Sequence, residues 1–186
     1  MLTNFVSFKG FIKKKKSRSL QKYFKQLVNS EDEVIISLTN KYKYSYTKNF
    51  LKKFTKFKFI RIFGMGGSSL GAHGIYDFLK YKIKRDFSFI SNLKYRRFCT
   101  KKKYLNLIIS KSGNTLETIV NSNVYINKKE KNIFITENKK SILKDIGLKL
   151  KNEIIDHNNY IGGRYSVLSE VGMLPASLFG LEEKKF

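Results

Sequence analysis

Three stretches carry residue types suited to holding an anion: Gly64-Met65-Gly66-Gly67-Ser68-Ser69-Leu70-Gly71, Ser110-Lys111-Ser112-Gly113-Asn114-Thr115 and Gly162-Gly163-Arg164-Tyr165-Ser166. Glycine lets backbone N–H groups come close to a phosphate, and hydroxyl and ammonium groups donate to its oxygens. A helix that follows aims the positive end of its dipole at the anion. The first two stretches each follow an apolar run that reads as a buried strand, and each opens a segment of helical period. Open α/β sheets bind ligands at such carboxyl ends of strands. The third stretch adds a guanidinium, and together they imply a pocket for a small phosphorylated molecule.

Each stretch also has a plainer reading. The first lacks the Gly-Lys-Ser/Thr of a Walker loop, and Ser69 stands where a dinucleotide turn needs its third glycine. By itself it is either a phosphate turn or a tight strand-to-helix turn with a serine cap. The second sets Ser110, Ser112, Thr115, Thr118 and Lys111 around one helix start. A single hydroxyl would cap that helix, so the surplus points to a ligand. Taken alone, Gly162-Gly163-Arg164 is a turn with a surface arginine. Against that, the segment after it, Val167 to Phe179, is apolar with few charges to keep it at the surface.

These stretches need a frame, and the chain supplies one from residue 57 on. Phe59–Phe63, Phe87–Ile90, Tyr104–Ile109, Asn132–Thr136 and Glu153–Asp156 read as strands. Between them lie helical segments over Ser69–Lys80, with Leu70, Ile75, Phe78 and Leu79 inward, and over Asn114–Asn127, with Leu116, Ile119, Val120 and Val124 periodic. A further helix covers Ser141–Lys149. Alternating strands and helices predict an α/β fold around a parallel, doubly wound sheet. Ser166 to Phe179 reads as a helix interrupted by Pro175. Upstream, Ser19 can cap a helix carrying Leu20, Tyr23, Phe24, Leu27 and Val28 on one face. Val34–Leu38 is a second apolar segment, and Tyr42–Phe57 is assigned as helix. The expected organisation is a helical appendage over 1–55 and a ligand-binding domain over 56–186.

Composition bounds the remaining possibilities. The 186 residues are 41% hydrophobic, with 16 Phe and 11 Tyr, which excludes a disordered chain. No apolar run reaches the roughly 20 residues of a membrane span. Met1–Lys16 has lysines after its apolar residues and no small-residue cleavage site, so no secretory signal is expected. The single Cys99 forms no internal disulfide, in keeping with a reducing cytoplasm. His73 and His157 lack partners at metal-ligand spacing. The net charge of +24 suggests nucleic acid at first sight. Its lysines, however, are scattered along the chain among Asn, Ile, Phe and Tyr, residues of A/T-rich codons. Arginine, the better reader of bases and phosphates, is scarce. The charge is therefore read as background, and the Lys13–Lys16 run as solvated surface.

In this order the three stretches resemble the glucose-6-phosphate isomerase family. Gly64–Gly71 is similar to its Gly-Ile-Gly-Gly-Ser-x-Leu-Gly turn, with Met65 for Ile. Ser110, Lys111, Ser112, Thr115, Glu117 and Thr118 follow its Ser-Lys-Thr-x-x-Thr-x-Glu-Thr pattern, with Ser112 for Thr. Gly162–Ala176 follows the family signature almost letter for letter, with Met173 the main departure. The resemblance covers about residues 57–180. It implies a flavodoxin-like three-layer sandwich of the sugar isomerase (SIS) type. It further implies that Ser68, Ser110, Lys111, Ser112 and Thr115 gather the substrate phosphate, with Gly67 giving a close backbone approach. Gly163 would lie near the substrate and Arg164 would face its reacting end. There a guanidinium stabilises the charge of a cis-enediolate formed between aldose and ketose. No metal or organic cofactor is implied, and the full-length family forms homodimers.

The resemblance is partial. The family's glutamate base lies well beyond the arginine signature, and its assisting histidine and lysine lie further still. Glu170, Glu182 and Glu183 match no such motif. The expectation is an N-terminal part of an isomerase, with negligible turnover by itself. The alternatives are a non-catalytic sugar-phosphate-binding SIS module, a dual glucose/mannose phosphate isomerase, and, last, a charge-driven nucleic-acid binder. Neither nucleic acid nor membrane is expected as a partner.

Overall fold

The computed structural model describes residues 17–99, 101–127 and 129–182. The Met1–Lys16 segment, with its lysine run, and Glu183 lie outside them. The apolar runs read as strands pair into one sheet of order β2-β1-β3-β4-β5. Its members are β1 (Phe59–Phe63), β2 (Asp86–Ile90), β3 (Tyr104–Ile109), β4 (Lys131–Thr136) and β5 (Glu153–Asp156). All four pairings are parallel. The central β3 is buried along its whole length, as a strand covered on both faces must be.

Helices cover both faces, and the alternation of side chains along each strand divides the core in two. Ile60, Ile62, Leu105, Leu107, Ile109, Ile133 and Ile135 pack toward Ala72, Val171, Met173 and Leu174. Those partners belong to α4 (Gly67–Leu79) and α7 (Glu170–Leu178). On the other face Phe63, Ile108 and Phe134 meet Leu143, Ile119 and Ile146. These come from α6 (Ile142–Lys149) and α5 (Leu116–Tyr125). On that second face, too, Arg61, Asn106 and Asn132 sit in register across three strands. Arg61 Nε donates to Asn106 Oδ1 at 2.7 Å, Asn106 Nδ2 donates to Asn132 Oδ1 at 2.7 Å, and Glu130 pairs with the guanidinium. A buried cation is tolerable only with such a set of partners.

The upstream segment is less helical than its composition suggests. It contains α1 (Arg18–Val28), α2 (Glu33–Ser37) and α3 (Lys48–Lys52). Ser17, not Ser19, caps α1 through the Leu20 N–H. Of the stretch 42–57 only α3 is helical, because Thr47 caps it and starts the helix there. The aromatic residues around it serve as packing instead, with Tyr46, Phe54 and Phe57 joining the main core.

Of three expected apolar faces, Ile75 of α4 and Ile119 of α5 pack against the core, but most of the other members turn outward. Leu20, Tyr23, Phe24, Leu27 and Val28 of α1 are exposed, as are Leu70 and Phe78 of α4 and Leu116, Val120 and Val124 of α5. The helices present small and polar residues to the sheet instead: Ser69 and Ala72 from α4, and Thr118, Asn121 and Ser122 from α5. Close approach of helix to neighbour selects these faces. A Cβ on Gly71 would lie 2.7 Å from Val167 Cγ2, for example. The connection from β2 to β3 contains no helix among its described residues. Finally, α7 runs through Pro175 without interruption. Seven of its other eight residues are buried, so packing compensates for the missing N–H.

Candidate functional site

The three stretches singled out by residue type meet at the carboxyl ends of β1, β3 and β5. The first continues the β1 ladder by one residue, Gly64 N–H donating to the Ile90 carbonyl at 3.3 Å. A Cβ at Gly64 would sit 3.2 Å from the Ile109 carbonyl, immediately before Ser110, so the first two stretches are adjacent. The turn then needs Gly66 at φ +55°, in the left-handed region that glycine alone enters cheaply. Gly67 opens α4 with its Cα against the third stretch. A Cβ there would lie 2.1 Å from the Gly163 carbonyl oxygen, an impossible contact. The Ser166 hydroxyl secures the third stretch by donating to the Gly163 carbonyl at 2.7 Å.

The second stretch is a knot of short polar contacts. Ser110 is buried, and its Oγ lies 2.9 Å from Thr115 Oγ1 while accepting from the Gly113 N–H at 3.2 Å. Ser112, exposed, accepts from Asn114 N–H at 3.2 Å. Asn114 Oδ1 in turn accepts from the Ile142 N–H at 3.0 Å, which ties the loop to the start of α6. Lys111 bends toward the third stretch. Its ammonium donates to the Asn159 carbonyl at 2.7 Å and lies 3.3 Å from Glu137 Oε1. Lys111 and Lys139 together hold the Glu137 carboxyl below the usual carboxylate range against the opposing effect of burial. Thr118 takes no part: it is buried inside the fold and its hydroxyl has no partner among the described residues.

Capping separates two helices from the rest. First-turn N–H groups of α1, α2, α3, α6 and α7 donate to the side chains of Ser17, Asp32, Thr47, Ser141 and Ser169. Among the described α-helices, only α4 and α5 have no side-chain cap. These are the helices that follow the two phosphate-type turns. Thr115 occupies the N-cap position of α5, yet its hydroxyl bonds to Ser110 rather than to the helix. The surplus of hydroxyls therefore does not serve capping. The Ser68 hydroxyl, in the first turn of α4, has no hydrogen-bond partner among the described residues, and neither does the exposed Arg164 side chain.

Glu170, which matches no base motif of the family in the sequence, heads α7 within a buried polar group. Glu170 is fully buried and accepts from Tyr42 Oη at 2.8 and 2.9 Å and from the Ser45 N–H at 3.0 Å. His157 Nδ1 lies 3.9 Å from its Oε2, an ion-pair separation rather than a hydrogen bond. Despite burial, these neighbours hold the Glu170 carboxyl below its ordinary range. A signal was present: Glu170 is the one charged residue between Val167 and Phe179. Saturated with donors and closed to solvent, it is not available as a catalytic base.

A five-stranded parallel sheet covered by helices on both faces, with anion-type turns at its strand tips, defines a flavodoxin-like α/β protein. Solved structures share this fold. One is a hypothetical protein from Thermus thermophilus, with TM-score 0.66 and 19% identity over 89% of this chain and 45% of that one. Another is tagatose-6-phosphate ketose/aldose isomerase from Escherichia coli, with TM-score 0.53 and 16% identity over 74% of this chain and 42% of that one. The phosphoglucose isomerase family model matches residues 33–184, and the chain belongs to that family. Among curated relatives named glucose-6-phosphate isomerase, that of Mycoplasmoides gallisepticum is 34% identical over 67% of this chain and 33% of its own length. That of Methanocaldococcus jannaschii is 33% identical over 72% and 36%. The chain thus spans about a third of the length of the curated relatives it matches.

Proposed function

We propose that the strand-tip loops bind the phosphate of a hexose 6-phosphate, and that the chain supplies this part of a glucose-6-phosphate isomerase. The observation that carries the reading is the pair of uncapped helix starts, α4 and α5, at adjacent strand tips. Their aligned dipoles favour an anion between them, with the first-turn N–H groups of α5 left to meet it. In α4 the Ser68 and Ser69 N–H groups already donate to the Met65 and Gly66 carbonyls. Ser68, Ser110, Ser112 and Thr115 would donate to the phosphate oxygens, and Gly67 would admit the ligand to the backbone. Lys111 would contribute by position, since its ammonium already serves Glu137 and Asn159.

Arg164 would face the reacting carbons, with Gly163 beside it. Its guanidinium is exposed and unpaired among the described residues, free to stabilise negative charge on an enediolate oxygen. Isomerisation also needs a base beside the carbonyl carbon and an acid for ring opening. The described residues offer no group suited to either task at this site. The reading assigns the gripping role to the domain over 56–186, preceded by the helical appendage over 1–55. It includes a homodimer for the full-length enzyme and a cytoplasmic location, and no nucleic-acid or membrane partner. No described helix is long and apolar enough to cross a membrane.

Titration calorimetry with fructose 6-phosphate, inorganic phosphate and fructose tests this reading. The two phosphates should bind saturably and compete, and the neutral sugar should not. Binding of fructose with equal strength, or of none of the three, would overturn it.

A further inference from the structure

We propose that Tyr42 and Glu170 are positioning residues for Arg164, locking the loop that carries it from both sides. The inference rests on the reading above in one respect, that Arg164 faces the sugar. Its geometry stands independently.

The loop from His157 to Ser169 joins β5 to α7 and contains Arg164 in a 3-10 turn, Gly163–Leu168. Each end of it reaches the same buried point. At the downstream end, Glu170 is the first residue of α7, and its carboxylate accepts both contacts from the Tyr42 hydroxyl. At the upstream end, Asn158 Nδ2 donates to that same hydroxyl at 3.1 Å, and His157 stands 3.9 Å from the Glu170 carboxylate. Tyr42 is thus a bolt through both ends of the loop, although it lies 116 and 128 residues away in sequence. Ser45 extends the attachment with its N–H and hydroxyl, at 3.0 and 3.3 Å from Glu170 Oε1.

Inside the lock the turn carries the arginine at its exposed tip. The Arg164 and Tyr165 side chains are exposed, and the Arg164 guanidinium has no partner among the described residues. Its backbone is further held by Ser166 to Gly163, by Tyr165 N–H to the Gly162 carbonyl, by Tyr44 Oη to the Leu168 carbonyl at 3.3 Å, by Lys111 to the Asn159 carbonyl, and by the close seats of Gly163 on Gly67 and of Val167 on Gly71. A charge-assisted hydrogen bond shielded from water is short and stiff, so a buried carboxylate is well suited to fixing both ends of such a turn. Ser110 and Thr115 are anchored by their own contacts, none of which involves Tyr42 or Glu170. Loss of the lock should therefore loosen Arg164 while Ser110 and Thr115 keep their own contacts.

The test uses the 186-residue chain with Tyr42→Phe, which deletes one oxygen, and Glu170→Gln, which keeps the shape. Hydrogen exchange of peptides covering 158–168 should quicken by about tenfold in Y42F, while peptides covering 110–115 stay unchanged. Fructose 6-phosphate should bind about fivefold to tenfold more weakly to Y42F, and inorganic phosphate within about twofold of wild type. Unchanged exchange at 158–168 would overturn the lock. Equal weakening of both ligands would also overturn it, since that is the mark of general loosening. If E170Q fails to fold, Y42F decides alone. The reading of Arg164 fails separately: R164A would then bind fructose 6-phosphate as tightly as wild type, while the exchange result still decides the lock.

Discussion

Ser110 is the hydroxyl on which the strand-tip site turns, because it joins two neighbours that each belong to the site. It is buried, contacts Thr115 Oγ1 and accepts from Gly113 N–H. Ser110→Ala should lower fructose 6-phosphate affinity by about tenfold to a hundredfold, the range of one charge-assisted hydrogen bond at about 1.5–3 kcal/mol. Calorimetry would show it; an unchanged affinity would remove Ser110 from the site. Ser112 is exposed and engaged only with Asn114 N–H, so Ser112→Ala should cost less. At this scale the sequence was informative for Ser110 and Thr115, whose spacing around a glycine at φ +67° leaves them touching. It was uninformative for Thr118, which shares their chemistry but faces the interior. Residue type reports what a side chain can do, and helix phase decides whether it reaches the ligand.

At the scale of elements, contact between backbones sets the geometry. Gly67 on Gly163, Gly71 on Val167 and Gly172 on the Val167 carbonyl bring α4, the 3-10 turn and α7 closer than any side chain would permit. Gly67→Ala should therefore force the Arg164 loop away and destabilise the fold by about 1–3 kcal/mol, as overpacking does. A lowered melting temperature with weaker sugar-phosphate binding would show this; wild-type values for both would contradict it. Strand placement was readable because runs such as Tyr104–Ile109 are apolar, short and bounded by turns. Helix facing was not readable from the large apolar residues. Leu70, Phe78, Leu116 and Val124 point outward because tight packing favours the small residues on the opposite phase. The single short helix within 42–57 followed from Thr47, a cap that outweighed a run of aromatics with no helical period.

For the whole molecule, the buried ion group at Glu170 ties the upstream segment to the family's signature helix and makes that tie depend on pH. Tyr42, Ser45 and His157 face the carboxylate directly, and Tyr160 lies near it. The Tyr42 phenol is held above its ordinary value by burial and by Glu170, so it remains a donor throughout the accessible range. Glu170 is held below its ordinary value, so the folded state favours the charged form. Its contribution to stability is complete above the unfolded-state value and disappears as pH falls through the lower, folded-state value. Glu170→Gln should thus be less stable than wild type by about 1–3 kcal/mol near pH 7, with the gap narrowing below about pH 4.5. Urea melts across that range check it, and a gap that stays constant or widens in acid would contradict it. The lone charge of Glu170 in an apolar segment marked the place, but its pairing with Tyr42 was not legible, since the two lie more than a hundred residues apart. The family, by contrast, was legible from fifteen consecutive residues, Gly162 to Ala176, that follow its signature almost letter for letter.

The most direct test of the central claim is an amide chemical-shift titration of the 186-residue chain with fructose 6-phosphate. Two helix starts left without side-chain caps should be where an anion settles. The account predicts saturable shifts concentrated at residues 66–69 and 110–116, reproduced there by inorganic phosphate and abolished in S110A. Shifts scattered over the lysine-rich surface, growing without saturation and vanishing in moderate salt, would contradict it.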